Sequence, residues 1–210
     1  MTTKKAEIVS TTDKPARAWQ RMLSGRRLDL LDPSPLDIEI SDIAHGLARV
    51  ARWNGQTIGE HAFSVAEHSL IVEDIAVCLK PNLPNKWRMA ALLHDAAEYV
   101  VGDMISPFKA AIGFDYKAFE LNLLQAIHTR VGIPKDLPKT IQDLIKRADK
   151  IAAYYEATRL AGFEEEEAEK FFGAPKKLNK ELQTSLENLK PSSPYKAQQA
   201  FLDRHELLEG

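Results

Sequence analysis

The stretch AALLHDAAEY, residues 90–99, sets His94 and Asp95 side by side in an otherwise apolar run, with Glu98 one turn later. On a helix His94 and Glu98 share a face, and Asp95 lies about 100° round from His94. Two other segments carry side chains of the same kind. His68 sits in HAFSVAEHSLIVEDIAVCLK, seven residues after His61 and on the same predicted face. Asp149 interrupts IKRADKIAAYY where the helical period calls for a core residue, between Ile145, Ala148 and Ala152. A buried carboxylate is costly unless it is paired or bound to a cation. Two imidazoles and two carboxylates suit a borderline-to-hard divalent ion and leave positions for water. Taken singly, His68 also reads as a core histidine. Asp149, beside Lys146, Arg147 and Lys150, also reads as half of a surface ion pair.

These residues need rigid elements to bring them together, and the chain punctuates itself into helices. The spacing predicts helices over SDIAHGLARVARW (41–53, capped by Ser41 or Asp42), over 61–80 ending at Pro81, and over KWRMAALLHDAAEYVV (86–101), stopped by Gly102. Further helices are expected over 114–131, before Gly132 and Pro134, over 139–162, and over SSPYKAQQAFLDRHELL with a serine cap and Pro194 in its first turn. Only residues 19–40 suit extended structure, with RRLDLLD the best segment. The expectation is an all-α bundle with little or no β structure: a flexible tail over 1–18, then one domain over 19–210.

Composition removes several alternatives. The 210 residues are 44% hydrophobic and 28% charged, as in ordinary globular proteins, and the net charge is -2. No basic run marks a nucleic-acid surface. The EEEE run at 164–167 reads as a solvated helix end or loop. No apolar stretch approaches the roughly 18 residues of a membrane span, and the first 15 residues lack the apolar centre of a secretory signal. Cys78, the only cysteine, reads as a plain packed thiol, which suits a reducing cytoplasm.

SVAEHSL, then ALLHDAAEYVVGDMISP, then KRADKIAAYYEA resembles the HD-domain metal-dependent phosphohydrolases, and most closely their bacterial 5'-deoxynucleotidase branch. The likeness covers about residues 41–160. DIAHGLARVARWNGQT and DLLDPSPLDI upstream are similar to HD phosphohydrolases of undescribed substrate. The resemblance implies His68, His94, Asp95 and Asp149 as ligands of one divalent cation (Mn, Co, Fe, Zn, Ni or Mg). It implies Glu98 as the catalytic carboxylate that moves protons, with Asp95 beside it. Arg52 and Trp53 match a phosphate-holding pair, Asp103 an aspartate near the sugar that disfavours a 2'-hydroxyl, and Ser106 a substrate-contacting threonine. The implied reaction is release of phosphate from a nucleoside 5'-monophosphate, in particular a 2'-deoxynucleotide, by a homodimer.

There are departures from the pattern. His61 in GEHAF has no counterpart, and with His45 and His128 it reads as a packing or surface residue. HDAAEYV lacks the Glu-Asp pair of the family's guanosine-tetraphosphate hydrolases. With His128 the one histidine between Asp95 and Asp149, a single metal is favoured over two. The alternative functions are a nucleotide-binding sensor with weak turnover, an HD hydrolase of another small phosphoester, or a purely helical interaction protein. Nothing in the sequence from about residue 163 onward points to a function.

Overall fold

The computed structural model describes residues 18–103, 114–175 and 178–210, and nine α-helices lie among them. An antiparallel ribbon of β1 (Trp19–Arg21) and β2 (Arg27–Asp29) comes first, with Gln20 opposite Leu28. The extended segment expected in RRLDLLD is therefore present but only three residues long. Leu28, buried between exposed neighbours, pins it to the core. The rest is helical, so the all-α expectation holds. The helices are α1 (Ile40–Leu47), α2 (Val65–Leu79), α3 (Asn85–Leu92), α4 (Glu98–Val101), α5 (Phe114–Arg130), α6 (Lys139–Arg159), α7 (Glu165–Phe172), α8 (Lys180–Glu187) and α9 (Pro194–Glu209).

α2 and α6 form the central pair. α3 packs on α2, α1 lies against α4, and α9 crosses α1, α2 and α3. Glu73 of α2 is fully buried and is held by Arg88 (2.6 Å) and by Arg204 of α9, which also reaches Asp74 at 2.8 Å. α1 can approach α4 because residue 46 is glycine: a Cβ there would stand 2.8 Å from the Tyr99 Cβ and 3.0 Å from the Tyr99 carbonyl oxygen.

Several boundaries differ from expectation, each for a local reason. α2 begins at Val65, not at 61. The Ser64 hydroxyl accepts the Glu67 N–H while the Glu67 carboxylate accepts the Ser64 N–H, a reciprocal cap written in the sequence as SVAE. His61 therefore lies outside the helix and shares no helical face with His68. The helix expected over 86–101 is broken. α3 ends at Leu92, and the bonds Ala96 N–H to the Leu93 carbonyl and Glu98 N–H to the Asp95 carbonyl are three residues apart rather than four. His94 and Glu98 thus flank a tight turn instead of sitting on one regular helix. α1 stops at Leu47, and its N-cap is Glu39 rather than Ser41 or Asp42. Asp42 is buried and accepts from the Ser24 N–H (2.9 Å) and hydroxyl (2.5 Å). α7 and α8 were not anticipated. The glutamate run opens α7, where carboxylates meet the positive end of the helix dipole.

Candidate metal centre

Four elements converge. α2 carries His68, the turn between α3 and α4 carries His94 and Asp95, α4 opens on Glu98, and α6 carries Asp149. One ligand atom each from His68, His94 and Asp149 lies within 4.8 Å of the others. Two ligands that each stand about 2.1 Å from one cation lie roughly 3.0–3.4 Å apart, or about 4.2 Å when opposite, so the cluster is of the size that one cation needs. The His68 Nε2 lies 3.3 Å from an Asp149 carboxylate oxygen and 3.6 Å from the Asp95 Oδ2, and the His94 Nε2 is 3.3 Å from that same Asp95 oxygen. Both Nε2 atoms are buried with no hydrogen-bond partner. Each ring is fixed from behind. The His94 Nδ1 is 2.9 Å from the Ala91 carbonyl, and the His68 Nδ1 is 2.5 Å from a Glu156 carboxylate oxygen. Two oriented imidazoles with orphaned inner nitrogens, facing two carboxylates, fit a divalent cation.

Glu156 is the residue that sequence reading missed. It follows Asp149 by seven residues on α6, so it shares the site's face, and it is fully buried. Its Oε1 takes His68. Its Oε2 accepts from the Arg52 Nε (3.3 Å) and Nη2 (3.1 Å) and from the Trp53 indole N–H (3.0 Å). The signal was available: a glutamate in the apolar run IAAYYEA, one heptad beyond a candidate ligand. Asp149 was read as facing the core, yet its side chain is 39% exposed and lines an open cleft. Glu156 is the carboxylate that enters the interior.

The Arg52–Trp53 segment is held beside α2 by backbone bonds from the Arg52 N–H to the Phe63 carbonyl (2.8 Å) and from the Val65 N–H to the Val50 carbonyl (3.0 Å). Trp53 and Asn54 adopt left-handed backbone angles (φ 56° and 51°), a conformation that costs a non-glycine residue about 1–3 kcal/mol and persists only where surroundings enforce it. Here Glu156 grips the indole, and Phe163 and Phe172 pack on its ring at 5.6 and 5.9 Å. Phe172 belongs to α7, so the C-terminal third does touch the site. The remaining Arg52 nitrogen, Nη1, lies 3.5 Å from the Asp103 Oδ2.

Charge explains the protonation states. Burial works against the charged form of every group here. In the metal-free protein burial and Arg52 push His68 down, but Glu156 and Asp149 outweigh them and hold it up at about 10. Burial would raise Glu156, yet His68 and Arg52 pull it down to about 2. Asp95 falls well below the usual carboxylate range despite burial, under His94, His68 and Arg52. Arg52 stays charged because Glu156, Asp103, Asp95 and Asp149 together overcome its desolvation. Four carboxylates around one guanidinium leave an excess of negative charge that a divalent cation would neutralise.

Glu98 is 1% exposed, at the foot of the turn that carries His94 and Asp95. His94 and Asp149 also line a cleft of about 260 Å³, walled by Leu124 and His128 of α5, by Leu137, and by Gln142, Ile145 and Lys146 of α6. His128, expected as a packing or surface residue, is buried in that wall. His45 and His61 are half-buried and take no part in the cluster. Cys78 packs half-buried against the core. Ser106 and the first 17 residues lie outside the described residues. No helix among the described residues is long and apolar enough to cross a membrane.

The sequence matches the HD domain family over residues 65–154, the span from the start of α2 through the Asp149 turn of α6. The chain belongs to the HD-domain superfamily of metal-dependent phosphohydrolases. The chain is 55% identical over 193 residues to an uncharacterized protein of Rhodobacter capsulatus, a match covering 91% of this chain and 96% of that one. It is 32% identical over 114 residues, 53% of this chain and 58% of the other, to the uncharacterized protein YfdR of Escherichia coli.

Proposed function

We propose that the protein removes the phosphate of a nucleoside 5'-monophosphate, with preference for the 2'-deoxy sugar, at one divalent cation held by His68, His94, Asp95 and Asp149. A cation bound there supplies Lewis-acid polarisation of a phosphate oxygen and acidifies water at neutral pH. The protein's own groups do the rest. Glu156 fixes the His68 tautomer and anchors Arg52 and Trp53. The Arg52 Nη1 edge, the part of the guanidinium not taken by Glu156, faces the phosphate, and Asp103 beside it faces the sugar. Glu98, buried beside the His94–Asp95 turn, carries the proton that hydrolysis at phosphorus must move.

The observation that carries the reading is the Arg52–Asp103 pair next to the histidine–aspartate cluster. With a phosphate held between those ligands and Arg52, the sugar would lie near Asp103, which stands beside the Arg52 Nη1. A carboxylate there accepts a hydrogen bond from a 3'-hydroxyl and crowds a 2'-hydroxyl, so discrimination comes by exclusion. A half-buried lone thiol and the small acidic surplus suit a cytoplasmic enzyme acting on small molecules. Phosphate release from paired deoxy- and ribomononucleotides, with Mn²⁺ or Co²⁺, tests the reading. Higher kcat/KM on the deoxy substrates, with the gap narrowed by Asp103→Ala, is expected. Equal rates on both members of each pair in the unaltered protein would remove the sugar preference, and no release from any mononucleotide would remove the nucleotidase reading.

A further inference from the structure

The geometry points to Lys146 as the cation that meets the substrate's phosphate from the open side of the site. Gln142, Lys146 and Asp149 stand at i, i+4 and i+7 on α6, so they form one stripe along that helix. The stripe lines the same cleft as His94. Lys146 is exposed, and among the described residues it has no ion-pair or hydrogen-bond partner. Arg52, the cation suggested by resemblance, is in a different condition. Its Nε and Nη2 are taken by Glu156, its Nη1 faces Asp103 at 3.5 Å, and its side chain is only 13% exposed. It is already shared among carboxylates and is not among the residues that line the cleft.

A phosphate dianion arriving at the metal adds negative charge to a neighbourhood holding Asp95, Asp149, Glu156 and Asp103. Arg52 alone does not offset that. An ammonium about one helical turn before Asp149, on a flexible stem and lining the same cleft, meets an anion bound at that cation from the open side. Long-chain freedom also lets it meet a phosphate in more than one orientation, which suits a group that must later leave. Leu124, Leu137 and Ile145 give the cleft apolar walls beside this charge, so its occupant is an anion with an apolar body.

The inference rests on the reading that a phosphoester lies at this metal, but its test does not need turnover. Binding of inorganic phosphate to the Mn²⁺-loaded protein is measured by calorimetry for the unaltered chain, Lys146→Met and Lys146→Arg, at two salt concentrations. Lys146 is exposed, so both variants should fold and keep their metal. Lys146→Met should weaken phosphate binding at least about tenfold, the scale of one charge-assisted contact, and flatten its salt dependence. Lys146→Arg should restore most of both. Unchanged phosphate affinity in Lys146→Met, or no phosphate binding by the metal-loaded unaltered protein, overturns the assignment. Loss of phosphate binding in Lys146→Met, with no nucleotide hydrolysed by the unaltered protein, would keep Lys146 and discard the nucleotidase reading.

Discussion

Glu156→Gln separates a structural glutamate from one that tunes the metal centre. The substitution keeps the shape but removes the charge that faces the His68 Nδ1, the Arg52 guanidinium and the Trp53 indole. Two consequences follow. The carboxyl is held down to about 2 from an ordinary 4.5. A drop of that size is worth about 3 kcal/mol at roughly 1.4 kcal/mol per unit, in line with the roughly 3–5 kcal/mol lost when one partner of a buried ion pair is removed. Because the folded pKa is depressed, that stability is present in full above about pH 4.5 and is lost as pH falls toward 2. At neutral pH the variant should melt about 6–12 °C lower, given about 2–4 °C per kcal/mol for a chain of this size. Loss of the partner that orients His68 should also weaken the metal about 10- to 100-fold. Calorimetric melting of the metal-free protein and metal titration at pH 7.5 read the two effects apart. A variant that melts like the parent and binds metal as tightly would refute the account of Glu156 as the anchor of the site. A lower melting point with unchanged metal affinity would reduce it to a packing residue.

Alanine at His68, His94, Asp95 or Asp149 should strip the metal and lower the melting temperature, since binding to the native state stabilises it; full metal content in any two of the four, measured by elemental analysis, would break the ligand set. Glu98→Gln should keep its metal and lose turnover by about 10²- to 10⁴-fold, whereas metal loss would make Glu98 a ligand instead. Metal uptake should also expel a proton. His68 is held up at about 10 in the metal-free protein, so its contribution to stability is full below about pH 6.5 and disappears as pH rises through 10. A cation needs the neutral ring, so near pH 8 binding should release about one proton per metal, seen by calorimetry in buffers of different ionisation enthalpy; uptake with no proton release would contradict the His68 environment.

Much of this protein is local, and local chemistry is legible in a sequence. The helical class, the glycine that ends α4, the serine and proline that open α9, and the short extended piece at Arg27–Asp29 all follow from period and capping within a few residues. The reciprocal cap at Ser64 and Glu67 was equally local, and read closely it separates His61 from α2. The types of the metal-site residues were legible for the same reason, because a histidine or carboxylate in an apolar run is anomalous wherever it falls. Tertiary structure alone decided their company. Nothing within α3 announced that its backbone would tighten into a turn at His94; the turn joins α3, which packs on α2, to α4, which lies against α1 at Gly46. Nothing within α6 told the half-exposed Asp149 from the interior Glu156, because burial depends on which helices lie across each residue. The joining of Arg52 and Trp53 to Glu156 spans about a hundred residues of chain. It exists because α2 and α6 pack side by side, and a pairing at that separation has no periodicity to give it away.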